Sequence, residues 1–190
     1  MRYKHFFLFS SLLIISCSLF DPRDPQDPSG GGAVWQTPTS PDLVVENMQS
    51  SLNGKSVQYL ACLDDKFFFF ADTNDVDDYP TLNFTDWDKS IENLTVSQLF
   101  SIVPEDSTII AEFLPVPGSP DPVAPEDSAT LYRNYSISIP GAEYNPAFGI
   151  AEFRMIEDDN GLWWVSEWHD NRFEPSSTVK TWAVVKAVYR

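Results

Sequence analysis

From Thr108 onward the chain falls into short stretches of alternating apolar and polar residues, whereas the part before it repeats its apolar positions mainly at helical spacing. That order constrains the fold more than any other feature. Ser40-Pro41-Asp42 offers a capped helix start, and Leu43, Val44, Asn47, Met48 and Leu52 recur at helical spacing until Asn53-Gly54 stops the run. A second short helix is expected over 56–63 and a third over 87–103, which carries Trp87, Ile91, Leu94, Val96, Leu99, Phe100 and Val103. Between them, Phe67–Ala71 is too short for a buried helix and reads as a strand covered on both faces, and 72–86 reads as an acidic loop. The β stretches are Thr108–Val116, Leu131–Ile139, Ala147–Ile156, Leu162–Asp170 and Thr178–Tyr189. Helices followed by strands in this order belong to the α+β class, with the helices gathered on one face of a strongly curved antiparallel sheet.

Two connections fix part of the topology. Asn160-Gly161, between Ile156 and Leu162, is the strongest turn signal in the chain and makes the flanking stretches a hairpin. The Pro-rich stretch Pro115–Pro125 must be a surface loop joining two strands of the same sheet. In the second strand of the hairpin, strict alternation puts Trp164, Ser166, Trp168 and Asp170 on one face and Trp163, Val165, Glu167 and His169 on the other. Paired indoles are costly to leave in water, so Trp164 and Trp168 are expected inside with Phe153 or Met155, and Trp163 outside. Arg154 is expected to pair with Glu167 or Asp170, most simply as a solvated cross-strand contact.

The N-terminus carries a different message. Arg2 and Lys4 precede an apolar run from Phe6 to Ile15, which is too short to span a bilayer and has the layout of a secretory signal. Ile14-Ile15-Ser16-Cys17 then places two aliphatic residues and a small one before a cysteine, a spacing that resembles the lipobox of bacterial lipoprotein signals. The resemblance implies cleavage after Ser16, acylation of Cys17 and attachment to the bilayer through that lipid alone. Ser18, where an aspartate would favour retention, implies an outer-membrane location in the bacterial envelope. Residues 17–40, with Asp-Pro repeats and a Gly30-Gly31-Gly32 run, read as a tether; residues 41–190 are the domain.

Within the domain, two stretches resemble the nuclear transport factor 2-like, or ketosteroid-isomerase-like, superfamily. One is Leu43 to Met48 with Val57 to Phe69, which looks like the opening helices, acidic turn and first strand. The other is Gly161-Leu-Trp-Trp-Val-Ser-Glu-Trp-His-Asp, which looks like the penultimate strand. The resemblance covers about residues 41–190 and implies a cone with a pocket between sheet and helices. Ketosteroid isomerases place a carboxylate base opposite a tyrosine and a protonated acid, and residues of suitable type here are Tyr59, Tyr135, Asp170 and Glu167. The expected pocket lining is Tyr59, Tyr135, Phe153, Trp164, Trp168 and Asp170.

Charge and composition narrow the function. The net charge is −16, and loss of Arg2 and Lys4 with the signal makes it more negative, so nucleic acid is excluded as a partner. With Cys17 acylated, Cys62 is the one remaining thiol, expected as a buried small hydrophobe. His169 is the only histidine after residue 16, so no metal site of the usual nitrogen and sulfur type is expected, and Asp72–Asp78 lacks the glycine and closing glutamate of a calcium loop. No catalytic residue and no cofactor is assigned. The leading expectation is a non-enzymatic binding or interaction module for a small apolar ligand, a protein partner or a second copy of the chain. The alternative is a cofactor-independent isomerase, dehydratase or cyclase that uses the cone.

The lipobox spacing has a direct test. Cys17→Ser should abolish incorporation of a fatty-acid analogue in metabolic labelling, and equal incorporation in the variant would contradict acylation at this residue.

Overall fold

The computed structural model describes residues 34–122 and 127–190. Helix α1 (Pro41–Asn53) starts where extended Ser40 accepts the Leu43 amide through its side chain, with Pro41 in the first turn. Val44, Val45, Met48 and Leu52 form its buried stripe. A 3-10 turn over Val57–Cys62, tighter than the expected second helix, leads into strand β1 (Leu63–Phe70). Helix α2 (Thr73–Asp78) stands in place of the expected acidic loop. Asp72 makes it possible by accepting the Asn74 amide at 2.8 Å as N-cap. Helix α3 (Lys89–Ile102) is capped in the same way by Asp88, which accepts the Ile91 amide at 2.9 Å.

Strands β2 (Ile110–Pro115), β3 (Ser128–Ser138), β4 (Ala147–Glu157) and β5 (Trp163–Asn171) join β1 in one sheet of order β1-β5-β4-β3-β2. The class is α+β, a five-stranded curved open sheet with helices. Its neighbours run antiparallel except β1 and β5, which are parallel. The β2–β3 pair confirms that the Pro-rich stretch joins two strands of this sheet. At the hairpin, the Asp158 side chain accepts the Asn160 and Leu162 amides, and Gly161 at φ 75° takes the left-handed position that favours glycine. Residues 34–40, placed in the tether by composition, are fastened to this domain. Asn47 bonds both backbone groups of Gln36, and the Trp163 amide donates to the Pro38 carbonyl at 2.8 Å.

Three further expectations fail for identifiable reasons. Thr178–Tyr189 is not a strand; it contains helix α4 (Trp182–Ala187), whose six residues are all buried. A helix covered all round offers no polar face from which its period could be read. Phe67–Ala71 is not covered on both faces: Phe67 and Phe69 enter the core, while Phe68 and Phe70 are 45% and 41% exposed. In β5, Glu167 pairs with Arg154 and Val165 with Met155, which leaves Ser166 as a bulge residue. The bulge turns one half of the strand over relative to strict alternation. Trp163, Val165, Trp168 and Asp170 are buried, whereas Trp164, Ser166, Glu167 and His169 are half-buried and face outward. Trp168 therefore lies inside with Phe153 and Met155 as expected, but Trp164 and Trp163 exchange places.

Both sheet edges are occupied from within the chain. On β1 the Phe69 amide donates to the Trp87 carbonyl at 2.8 Å. On β2 the Asn53 side chain bonds both the amide and the carbonyl of Ala111, and Gln49 accepts the Phe113 amide at 2.9 Å. Such cover removes the donors and acceptors that would otherwise template strand addition.

The bulge makes a test of the strand's orientation. Trp163→Ala should lower the denaturant midpoint more than Trp164→Ala, with a loss of unfolding free energy approaching the roughly 3–5 kcal/mol of a large core truncation. The reverse order would mean that β5 alternates without interruption.

Candidate functional site

The polar groups of the cone's interior form two clusters. In the first, Asp170 at the end of β5 is fully buried. It accepts the Tyr135 hydroxyl at 2.6 Å and the Ala183 amide at 2.6 Å, while Tyr135 accepts the Trp182 amide at 2.8 Å. Two side chains from the sheet thus take up free amides at the start of α4. Tyr135 on β3 reaches this point because its neighbour across the ladder is Gly149, where a Cβ would come within 2.5 Å of the tyrosine oxygen. Burial pushes the Asp170 carboxyl up to about 7, against the opposing pull of its hydrogen bonds and of Lys186. Burial and the neighbouring Asp170 hold the Tyr135 phenol well above its ordinary range. Beside it, Thr181 caps α4 and donates to Asp75, which also receives Arg172 at 2.7 Å, so α2 is tied to the same helix start.

The second cluster centres on Glu92 of α3. Its carboxylate accepts the Tyr59 hydroxyl at 2.6 Å, the Trp87 indole at 2.7 Å and the Lys186 ammonium at 2.7 Å. Lys186 comes from α4 and is completely buried. Its nitrogen lies 3.3 Å from the centre of the Phe69 ring, 4.8 Å from Trp87, 5.2 Å from Trp168 and 5.6 Å from Trp182. Four rings and a carboxylate make a cation box of the kind that compensates an ammonium for lost water. Desolvation still draws the lysine below its ordinary value, with Glu92 opposing. Burial raises the Tyr59 phenol well above its own range, reinforced by Glu92.

Of the expected pocket residues, Tyr135, Phe153, Trp168 and Asp170 come together. Phe153, Trp168 and Phe113 pack edge-on within the core, with centroids 4.8–5.9 Å apart. Tyr59 belongs to the adjoining Glu92 cluster rather than to the Asp170 one. Trp164 is not part of the interior; it lines an outer groove of about 340 Å³ with Leu63, Lys89 and Ile156. Glu167 is also outside, bonded to Arg154 at 2.9 Å in the expected solvated pair and to His169 at 2.7 Å. Cys62 is buried, which pushes its thiol up to about 12 and leaves it without reactive thiolate. Among the described residues no cluster of three or more His, Cys, Asp or Glu is placed to hold a metal ion, and no helix is long and apolar enough to cross a membrane. Cys17 lies outside the described residues.

Sequence reasoning missed Glu92, Trp87, Trp182 and Lys186. The available signal was Lys186 itself, a lone cation inside the apolar run Trp182–Val188. A charge in such a run is either a break in a buried element or a paired interior group. Chemically, every carboxylate oxygen of Asp170 and Glu92 is already bonded to a donor of the chain.

No family model and no curated protein matches the sequence. Solved structures do match the fold. A provisionally named scytalone dehydratase from Novosphingobium aromaticivorans superposes with a TM-score of 0.52 at 8% identity, over 68% of this chain and 78% of that one. An NTF2-like protein of unknown function from Pseudomonas putida gives 0.51 at 15% identity, over 74% and 89%. A provisionally named aromatic ring hydroxylase from Novosphingobium aromaticivorans gives 0.50 at 11% identity, over 74% and 94%. At these identities the likeness is one of fold alone, the NTF2-like cone.

The Asp170 environment sets a pH signature. A carboxyl raised from about 3.9 to about 7 in the folded chain binds its proton more tightly there than in the unfolded chain. Its contribution to stability is therefore complete below about 4 and is lost as the pH rises through 7. Asp170→Asn should flatten this component: plotted from pH 4 to 7.5, the wild type should lose more stability than the variant. Parallel curves would show that Asp170 titrates normally.

Proposed function

We propose that this chain is a lipid-anchored envelope protein whose cone domain serves as a non-enzymatic interaction module and presents the outer face of its sheet. The observation that carries this reading is the filling of the cone. Lys186 and Trp182 occupy the space between sheet and helices, and the acids and phenols that could do chemistry there are bonded to one another and to α4. A general base must come within reach of a substrate proton, and Asp170 and Glu92 are fully buried with both oxygens of each already bonded to donors of the chain.

The outer face offers more. Phe68, Phe70 and Ile156 are exposed there, Phe70 stacks on His169 at 4.5 Å, and Arg154 bridges Glu152 and Glu167. Aromatic and arginine side chains grouped on a rigid sheet are the usual anchors of a protein interface. The lipobox-like Cys17 and the Pro/Gly-rich segment after it support display from a membrane, by way of the lipid and a spacer. The second reading, a cofactor-independent dehydratase or isomerase, is favoured by one observation, the pairing of Tyr135 with Asp170 inside a fold shared with a provisionally named dehydratase. It requires α4 to release both groups.

Complementation of a deletion strain separates the two. Tyr135→Phe, matched to wild type in level and melting behaviour, should restore the phenotype, while a Phe70→Asp, Ile156→Asp double variant should not. Loss of function in Tyr135→Phe with a normal fold, and retention in the outer-face variant, would overturn the interaction reading.

A further inference from the structure

An ammonium group buried among aromatic rings is held because the ring faces and a carboxylate replace its water, whether it belongs to a side chain or to a ligand. Here the box has four walls from four elements: Phe69 of β1, Trp87 ahead of α3, Trp168 of β5 and Trp182 of α4, with Glu92 of α3 as counter-charge. All five are 2% exposed or less. Glu92 is held in place independently of the lysine, by Tyr59 at 2.6 Å and Trp87 at 2.7 Å. The counter-ion and three of the rings therefore stay assembled without α4's lysine.

We propose that this box is a recognition site for primary alkylammonium ions, which the chain fills with its own Lys186. The occupant is defined by chemistry. Glu92 selects a cation, the buried rings exclude a strongly hydrated metal ion, and the Lys186 side chain that fills the site is an unbranched alkyl chain with the charge at its end. The site is thus self-liganded, and its ligand class is read from the residue that occupies it.

The test removes the occupant and supplies it again from solution. In the full chain, Lys186→Ala deletes the equivalent of a propylammonium ion. Adding n-propylammonium chloride to that variant should raise Tm in a saturable, concentration-dependent way, on the order of 5 °C. Sodium chloride, 1-propanol and sodium propionate should not. Lys186→Met, which fills the box with a neutral chain, should show no response to propylammonium. Should Lys186→Ala have no cooperative melt in buffer, the same four solutes are supplied during refolding, and recovery in propylammonium alone is the expected result. Three outcomes would overturn the proposal: equal effects of all solutes, no effect of propylammonium on the Ala variant, or an equal response from the Met variant, which would place the ion elsewhere.

Discussion

The buried contact between Lys186 and Glu92 is the constraint on which the rest of the interior depends. Two ions withdrawn from water are a net cost unless their remaining valences are met, and here they are: Glu92 takes three donors and Lys186 faces four rings. Such a pair adds little to stability compared with a well-packed apolar substitute, yet removing one partner alone typically costs about 3–5 kcal/mol. Its value is positional. The Lys186 ammonium sits against Glu92 and the four rings, and this contact fixes where α4 docks and in which rotation.

From that docking the second cluster follows. Once Lys186 is in the box, the first amides of α4 point at Tyr135 and Asp170, and Thr181 reaches Asp75. Arg172 then connects Asp75 to Asp78 and so holds α2 against the end of β5. A six-residue helix is too short to be stable by itself. It persists because its start is capped by side chains from the sheet and its face is buried on all sides. The space between sheet and helices is thereby taken by α4.

Much of the scaffold was legible in the sequence. The Ser40-Pro41 start, the Asn160-Gly161 turn, the Pro-rich connection and the helix-to-strand order all express local rules that the fold obeys. Four of the six expected interior residues, Tyr135, Phe153, Trp168 and Asp170, meet because period-2 alternation holds along β3 and β4 and resumes after the bulge in β5. Trp164 escapes because a single extra residue, Ser166, is invisible to a rule of alternation. Helix α4 was hidden because Trp182–Ala187 is buried on every side, its one charge included, so no exposed polar face marks its period. Helix α2 was legible in principle, since Asp72 before Thr73-Asn74-Asp75 is a cap sequence, but its acidity dominated the reading. Gly149 was a further clue: a glycine inside a strand marks a close approach, here that of the Tyr135 hydroxyl.

Helix α4 is an integral occupant of the cone and not a loosely held tail. Native-state hydrogen exchange of the Ala183 and Val185 amides tests it most directly. If the account is right, both exchange only through global unfolding, with protection equal to that of the central strands β3 and β4. Exchange of these amides through a local opening several kcal/mol below the global value would contradict it and would mean that the cone empties readily in the folded state.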